Sequence, residues 1–278
     1  MQGHFTHCAA LVREADRDRY LAALFVPAEH RDALVALYAF DVEISRVRDL
    51  AREPMPGEIR LQWWREVLMG ERAGEAAANP IAAALLETMV RYGLSDGTLV
   101  EMVEAHRFDV YDEPMPNRAT LQTYASRTAG VIFDSAARIL GAATDLSEEA
   151  AQAQTLAHVL TLLPHHSARR QLFVPLDVLG QYGAKPEDIF ARCATSELRA
   201  ALAELRLRAR RHLARIGVAN DEIPVAARPI FLSLAPLRSL LLAMERSDYD
   251  PFRPPQGALW RRQWQIWRAS RNLKRYFS

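Results

Sequence analysis

Apolar residues recur at helical spacing through nearly the whole chain, and no run of β-branched residues alternates between turn signals. A strand needs a period of two to bury one face. A chain that keeps a period near 3.6 almost everywhere therefore has only helices to build with. The pattern predicts helices over residues 8–25, 28–50, 57–69, 80–92, 96–109, 120–140, 147–163, 195–216, 228–246 and 257–271. Ser147 opens Ser-Glu-Glu-Ala, Ser95 offers an N-cap before Asp96, and Gly93, Gly141 and Gly217 follow apolar runs as C-caps. No Gly-, Ser- or Pro-rich linker and no fixed repeat interrupts the series, so the expected architecture is one all-α domain of 278 residues.

A formal net charge of +1 excludes nucleic acid as a partner recognised by the whole surface. Cys8 and Cys193 fit neither a metal spacing nor a disulfide framework, which points to a reducing compartment. Acids are scattered among the bases of the first twenty residues, against a signal or transit peptide. The most apolar run, 229–244, is interrupted by Pro236 and Arg238 and is too short to span a bilayer. A cytoplasmic protein, peripheral at the inner face of a membrane, is expected.

Two stretches carry the functional information. In ALYAFDVEISRVRDLAREPMPGEIRLQWWREV, residues 36–67, Leu37, Phe40, Ile44 and Val47 make a buried stripe while Asp41, Ser45 and Asp49 fall four apart. Three small polar groups in register either line a polar cavity or form a solvated face. In HVLTLLPHHSARRQLFVPLDVLGQYG, residues 158–183, an apolar helix runs into Pro164, which must kink or stop it. Two histidines, a serine and Arg169-Arg170 follow.

LYAFDVEISRVRD, YASRTAGVIFDSAARILG and ARRQLFVPLDVLGQYG resemble, in this order, three conserved segments of the squalene/phytoene synthase superfamily. The resemblance implies an isoprenoid synthase-like helical bundle around a central cavity. It also implies two aspartate pairs, each one turn apart, that hold Mg²⁺ against a substrate diphosphate. Here the first pair falls on Ser45 and Asp49, and the second near Leu163 and Ser167. Residues 162–175 contain no acid, so three of four carboxylates are missing and no cofactor is expected. Asp109, in HRFDVYDE, matches a further acid of the family, and Arg169 and Arg170 are its candidate anion-binding pair. His158, His165 and His166 suit Zn²⁺ better than Mg²⁺, but no nearby Cys or acid completes a set.

The pattern of losses is similar to one branch of the superfamily. PHHSARRQLFVPLDV, and FDVEISRVRD with RLQWWREV following, resemble the branch that includes a mitochondrial assembly factor for respiratory complex I. That branch implies a protein partner, a complex I subunit or assembly intermediate, and a chain without prenyl transfer. The alternative is an active Mg²⁺-dependent prenyl transferase on farnesyl or geranylgeranyl diphosphate, with acids supplied by Asp41, Asp49 and Asp109. A third reading is an isoprenoid carrier without turnover.

Three further features remain open at this level. Trp63-Trp64 can be a partner anchor or core packing. Residues 205–215, LRLRARRHLAR, read as a solvated arginine face. Near the C-terminus Trp260, Trp264 and Trp267 form a stripe beside Arg261, Arg262, Arg268, Arg271, Lys274 and Arg275, with no acid from 259 to 278. That pattern suits anionic lipid, or a stripe docked on the domain with residues 268–278 as a free basic tail.

Overall fold

The computed structural model describes residues 2–51, 53–111, 113–255 and 257–277, with the side chains of residues 2 and 275 outside that description. Helices account for every regular element among the described residues. They gather into two compact units, one made of Met1–Tyr111, Gly130–Ser147 and Glu222–Ser233, the other of Asp112–Ala129, Glu148–Asp221 and Leu234–Ser278. The chain crosses repeatedly from one to the other, which is why no linker is written into it.

In the first unit the Ala28–Ser45 helix is central, packed by the Gln2–Ala15, Pro80–Tyr92 and Val131–Ile139 helices. Its apolar residues are buried almost all round, from Ala33 to Ile44, as expected of a helix with neighbours on several sides. The Pro54–Leu68 helix adds Trp64, whose ring meets Phe40 edge-on at 5.1 Å. Phe133 stacks on Phe231 at 6.1 Å, tying two distant pieces of chain into the same core.

In the second unit the 23-residue Ser196–Val218 helix packs against the Leu176–Tyr182, Ala235–Ala243 and Leu273–Phe277 helices. Its arginine face is solvated in part, with Arg211 and Arg215 exposed, and it also carries specific pairs. Arg206 donates to the Met244 carbonyl at 2.9 Å, Arg210 pairs with Glu245, and Arg215 and His212 both engage Glu149 at 2.7 and 2.6 Å.

The Pro80–Tyr92 helix has the predicted bounds, with Asn79 accepting from the amides of Ile81 and Ala82 and Gly93 left-handed at φ 61°. Gly141, at φ 63°, likewise follows its helix, but Gly217 lies inside Ser196–Val218 and is no cap. Four predicted helices are broken instead of continuous. Asp16 ends the first and caps the second, Arg46 separates Ala28–Ser45 from Val47–Leu50, His106 separates Asp96–Ala105 from Arg107–Val110, and Leu162 separates Ser147–Thr161 from Leu163–Ala168, where Pro164 was expected to kink or stop the helix. The helix expected over 120–140 contains a π turn at Ser126–Gly130, a local widening of the ladder. Val225–Ala243 is long and apolar enough to cross a bilayer by composition. More than half of it is buried in the protein, as in a core helix, and its first part, Val225–Leu234, is 3-10.

Candidate functional site

The resemblance directs attention to Asp41, Ser45 and Asp49 in the first unit. Asp41 lies near the C-terminal end of the Ala28–Ser45 helix, and its carboxylate is buried against the guanidinium of Arg19. The Arg17–Ala23 helix presents that arginine, which also lies 3.5 Å from Asp16 and over the Tyr38 ring at 5.1 Å. Burial opposes the charge on Arg19, but Asp41 and then Asp16 outweigh it and raise its pKa further. Burial also raises the Tyr38 pKa, against the pull of Arg19. A carboxylate so engaged is a structural counter-ion.

A second buried pair lies in the same unit. His106 and Asp109 stand three residues apart across a break in the 96–110 segment, with Nδ1 and Oδ2 at 2.6 Å. Burial disfavours the imidazolium. The charge of Asp109, the hydrogen bond to it and the charge of Asp41 together prevail and hold His106 above its ordinary pKa. Asp109 is thus the partner of a histidine that the sequence reading passed over. The i,i+3 spacing in HRFD was the available signal, as it was for Asp16 and Arg19.

Ser45 and Asp49 lie on either side of the turn at Arg46, both exposed. The Ser45 hydroxyl donates back to the Val42 carbonyl at 3.4 Å. Asp41 and Ser45 stay one turn apart on the same helix, and the Arg46 turn puts Asp49 on the next one.

In the second unit, Leu163 and Ser167 are both buried in the short helix that follows the Leu162 break. Ser167 donates to the Ile189 carbonyl at 2.8 Å and receives Arg192 Nε at 3.4 Å, while Arg192 also reaches the Pro164 carbonyl at 3.1 Å. Ser167 and Arg192 thereby tie the Leu163–Ala168 helix to the Pro186–Phe190 helix. Arg192, which sequence reasoning did not single out, takes a left-handed φ of 54° to do so. Arg170 is left-handed too, at φ 57°, with its guanidinium over Phe190 at 4.7 Å, and Arg169 is half-buried at the helix C-cap. The two arginines sit together, but Arg170 packs on an aromatic face.

Trp64 is core, and the half-buried Trp63 donates its indole N–H to Glu75 at 2.8 Å. At the C-terminus the two alternatives fall opposite to sequence order. Trp260, Trp264 and Trp267 are exposed, and the tail beyond them is docked: Leu273 and Phe277 are buried, and Lys274 meets Asp221 at 2.7 Å. The Arg275 side chain lies outside the described residues.

The arrangement of helices has solved counterparts. The crystal structure of squalene synthase HpnC from Alicyclobacillus acidocaldarius superposes with a TM-score of 0.77, at 26% identity, covering 90% of this chain and 96% of that one. The fold is that of the isoprenoid synthases. The chain belongs to the squalene/phytoene synthase family, whose family model matches residues 12–268. Among curated relatives it is 29% identical to the rat protein "NADH dehydrogenase (ubiquinone) complex I, assembly factor 6" over 252 residues, 89% of this chain and 76% of that protein. It is 28% identical to phytoene synthase 1 of Arabidopsis thaliana over 262 residues, 89% of this chain and 61% of that protein.

Proposed function

We propose that this chain keeps the squalene/phytoene synthase fold without its reaction and serves, by binding, in the assembly of respiratory complex I. The observation that carries the reading is the donor set at the four positions where the family's metal-binding aspartates belong. Ser45, Leu163 and Ser167 replace three of them, and only Asp49 is an acid. Neutral hydroxyls and an alkyl group do not fit Mg²⁺, a hard cation that wants carboxylate oxygens. The remaining acids do not compensate, since Asp41 is engaged by Arg19 and Asp109 by His106. Among the described residues no cluster of three or more acids, histidines or cysteines is placed to hold a metal ion. Without a metal to neutralise it, diphosphate is a poor leaving group, and the chain's residues support no ionisation step. The similarity to the assembly factor over most of both chains supplies the biological direction.

The reading is tested by two measurements. Purified protein supplied with Mg²⁺ and farnesyl or geranylgeranyl diphosphate is expected to yield no C30 or C40 product, and disrupting its gene is expected to lower the amount of assembled complex I. Product formation, or normal complex I in the disrupted strain, overturns it. The rival reading, prenyl transfer, is favoured by the 26% identity to the squalene synthase HpnC. It requires Mg²⁺-dependent diphosphate binding that Asp49→Ala abolishes, and calorimetry without metal-dependent heat removes it.

A further inference from the structure

We propose that the Leu259–Arg271 helix is a membrane-docking element that lays its tryptophan stripe into the interface of an anionic bilayer. The helix rests on Ala235–Ala243 through its buried residues Ile266 and Ala269, and Gln265 donates to the Ser239 hydroxyl at 2.7 Å. At 100° per residue, Trp260, Trp264 and Trp267 fall within about 60° of one another and point away from that seam. Their exposures are 64%, 50% and 47%, and Leu259 beside them is 54% exposed. Three adjacent indoles left in water are an expensive arrangement for a surface that has no use for them.

The chemistry around the stripe selects the occupant. A guanidinium lies over each ring: Arg261 over Trp260 at 5.2 Å, Arg268 over Trp264 at 4.6 Å and Arg271 over Trp267 at 5.2 Å. The helix contains four arginines and no acid. A surface that is aromatic and positive throughout matches lipid phosphate at headgroup depth, where an indole keeps its N–H wet and its ring in hydrocarbon. A second copy of the chain fits poorly, because a two-fold contact would set arginines against arginines. The chain's net charge of +1 makes the attraction local to this face. Lys274 is not part of it, being committed to Asp221.

This proposal does not depend on what happens at Ser45, Asp49, Leu163 or Ser167. Vesicle adsorption and complex I assembly are read separately, so the failure of one leaves the other standing.

The experiment is co-sedimentation of the full chain with phosphatidylcholine vesicles, with and without phosphatidylglycerol. Wild type is expected to bind the anionic vesicles, more weakly as salt rises. Replacing all three tryptophans (Trp260→Ala, Trp264→Ala, Trp267→Ala) is expected to lower affinity at least tenfold. The set Arg261→Gln, Arg268→Gln and Arg271→Gln is expected to do the same and to flatten the salt dependence. Lys274→Gln is the control, expected to bind as wild type. Lipids brominated near the headgroup read depth directly in the unaltered protein. They should quench wild-type fluorescence and leave the triple tryptophan variant, which retains Trp63 and Trp64, unquenched. The proposal is overturned if wild type ignores anionic vesicles, if quenching is absent, or if the triple tryptophan variant binds unchanged. It is equally overturned if the tryptophans prove to hold a dimer that the triple variant dissociates.

Discussion

Removing the Asp41 carboxylate leaves the Arg19 guanidinium buried with Asp16 at 3.5 Å as its remaining anion. An uncompensated buried charge costs about 3–5 kcal/mol, whereas replacing both partners with apolar groups of similar size can cost little. Asp41→Ala is therefore expected to lower unfolding free energy by about that amount, and adding Arg19→Met to recover most of it. Urea titration of the single and double variants measures this. A double variant no better than the single one would show that the pair acts through something other than charge compensation. His106 and Asp109 add a pH dependence. The raised pKa of His106 means the folded state holds the proton more tightly than the unfolded chain, whose value is near 6.5. Its contribution is full below that value and fades as the pH rises through the folded pKa. Asp109→Asn should then cost more at about pH 6 than at about pH 9, and equal losses at both would show that the imidazolium contributes nothing. The i,i+3 spacing of His106 and Asp109 was readable, but nothing in the sequence paired Asp41 with Arg19. Asp41 and Asp109 were visible as acids of a family pattern, but an acid's role is set by the cation that folding brings to it.

At the scale of elements, helix existence was legible and helix continuity was not. Apolar period and caps located Pro80–Tyr92 to the residue, because Asn79 and Gly93 mark its ends by local chemistry. The break at Arg46 carries no such mark, whereas the one at Leu162 is written by Pro164, which sits in the first turn of the helix that follows. The Arg46 break puts Asp49 on a different short helix from Asp41 and Ser45, whereas Leu163 and Ser167 stay one turn apart within Leu163–Ala168. Close approach of elements left one readable trace, Gly57. A Cβ there would meet the Val110 methyls at 3.1 and 3.2 Å, and Val110 is fully buried and stiff at χ1. Alanine is favoured over glycine in a helix by about 1 kcal/mol, yet overpacking costs about 1–3 kcal/mol. Gly57→Ala is expected to be destabilising alone and less so with Val110→Ala, a non-additivity that thermal melts of the three variants would reveal. At the C-terminus, amphipathic basic sequence suggested a loose tail, while Leu273 and Phe277 are buried in a helix packed on Ser196–Val218. Deleting residues 272–278 should therefore cost about 3 kcal/mol or more of stability by exposing both side chains and the face they cover. An unchanged urea midpoint would argue that this helix does not dock in solution.

For the molecule as a whole, the absence of a linker was read as a single domain, and its physical meaning is interleaving. The first unit draws its core from three separated pieces of chain: Phe133 lies in Val131–Ile139, which packs on Ala28–Ser45, and stacks on Phe231 in Val225–Leu234. Helices alone, however many are predicted, do not say which of them share a core, because every amphipathic helix offers the same kind of apolar stripe. A fragment ending at residue 111 contains the Ala28–Ser45 helix and its Gln2–Ala15 and Pro80–Tyr92 neighbours, yet lacks two of the pieces that close the unit. The side chains that Val131–Ile139 and Val225–Leu234 would cover are then left in water, at about 25 cal/mol for each Å² of apolar surface, against a net stability of only about 5–15 kcal/mol for a typical protein. The fragment is expected to keep helical circular dichroism, since its local signals survive, and to lose a cooperative thermal transition and bind a hydrophobic dye. A sharp melt from that fragment would mean the first 111 residues carry a complete core, and that the later pieces are additions to it.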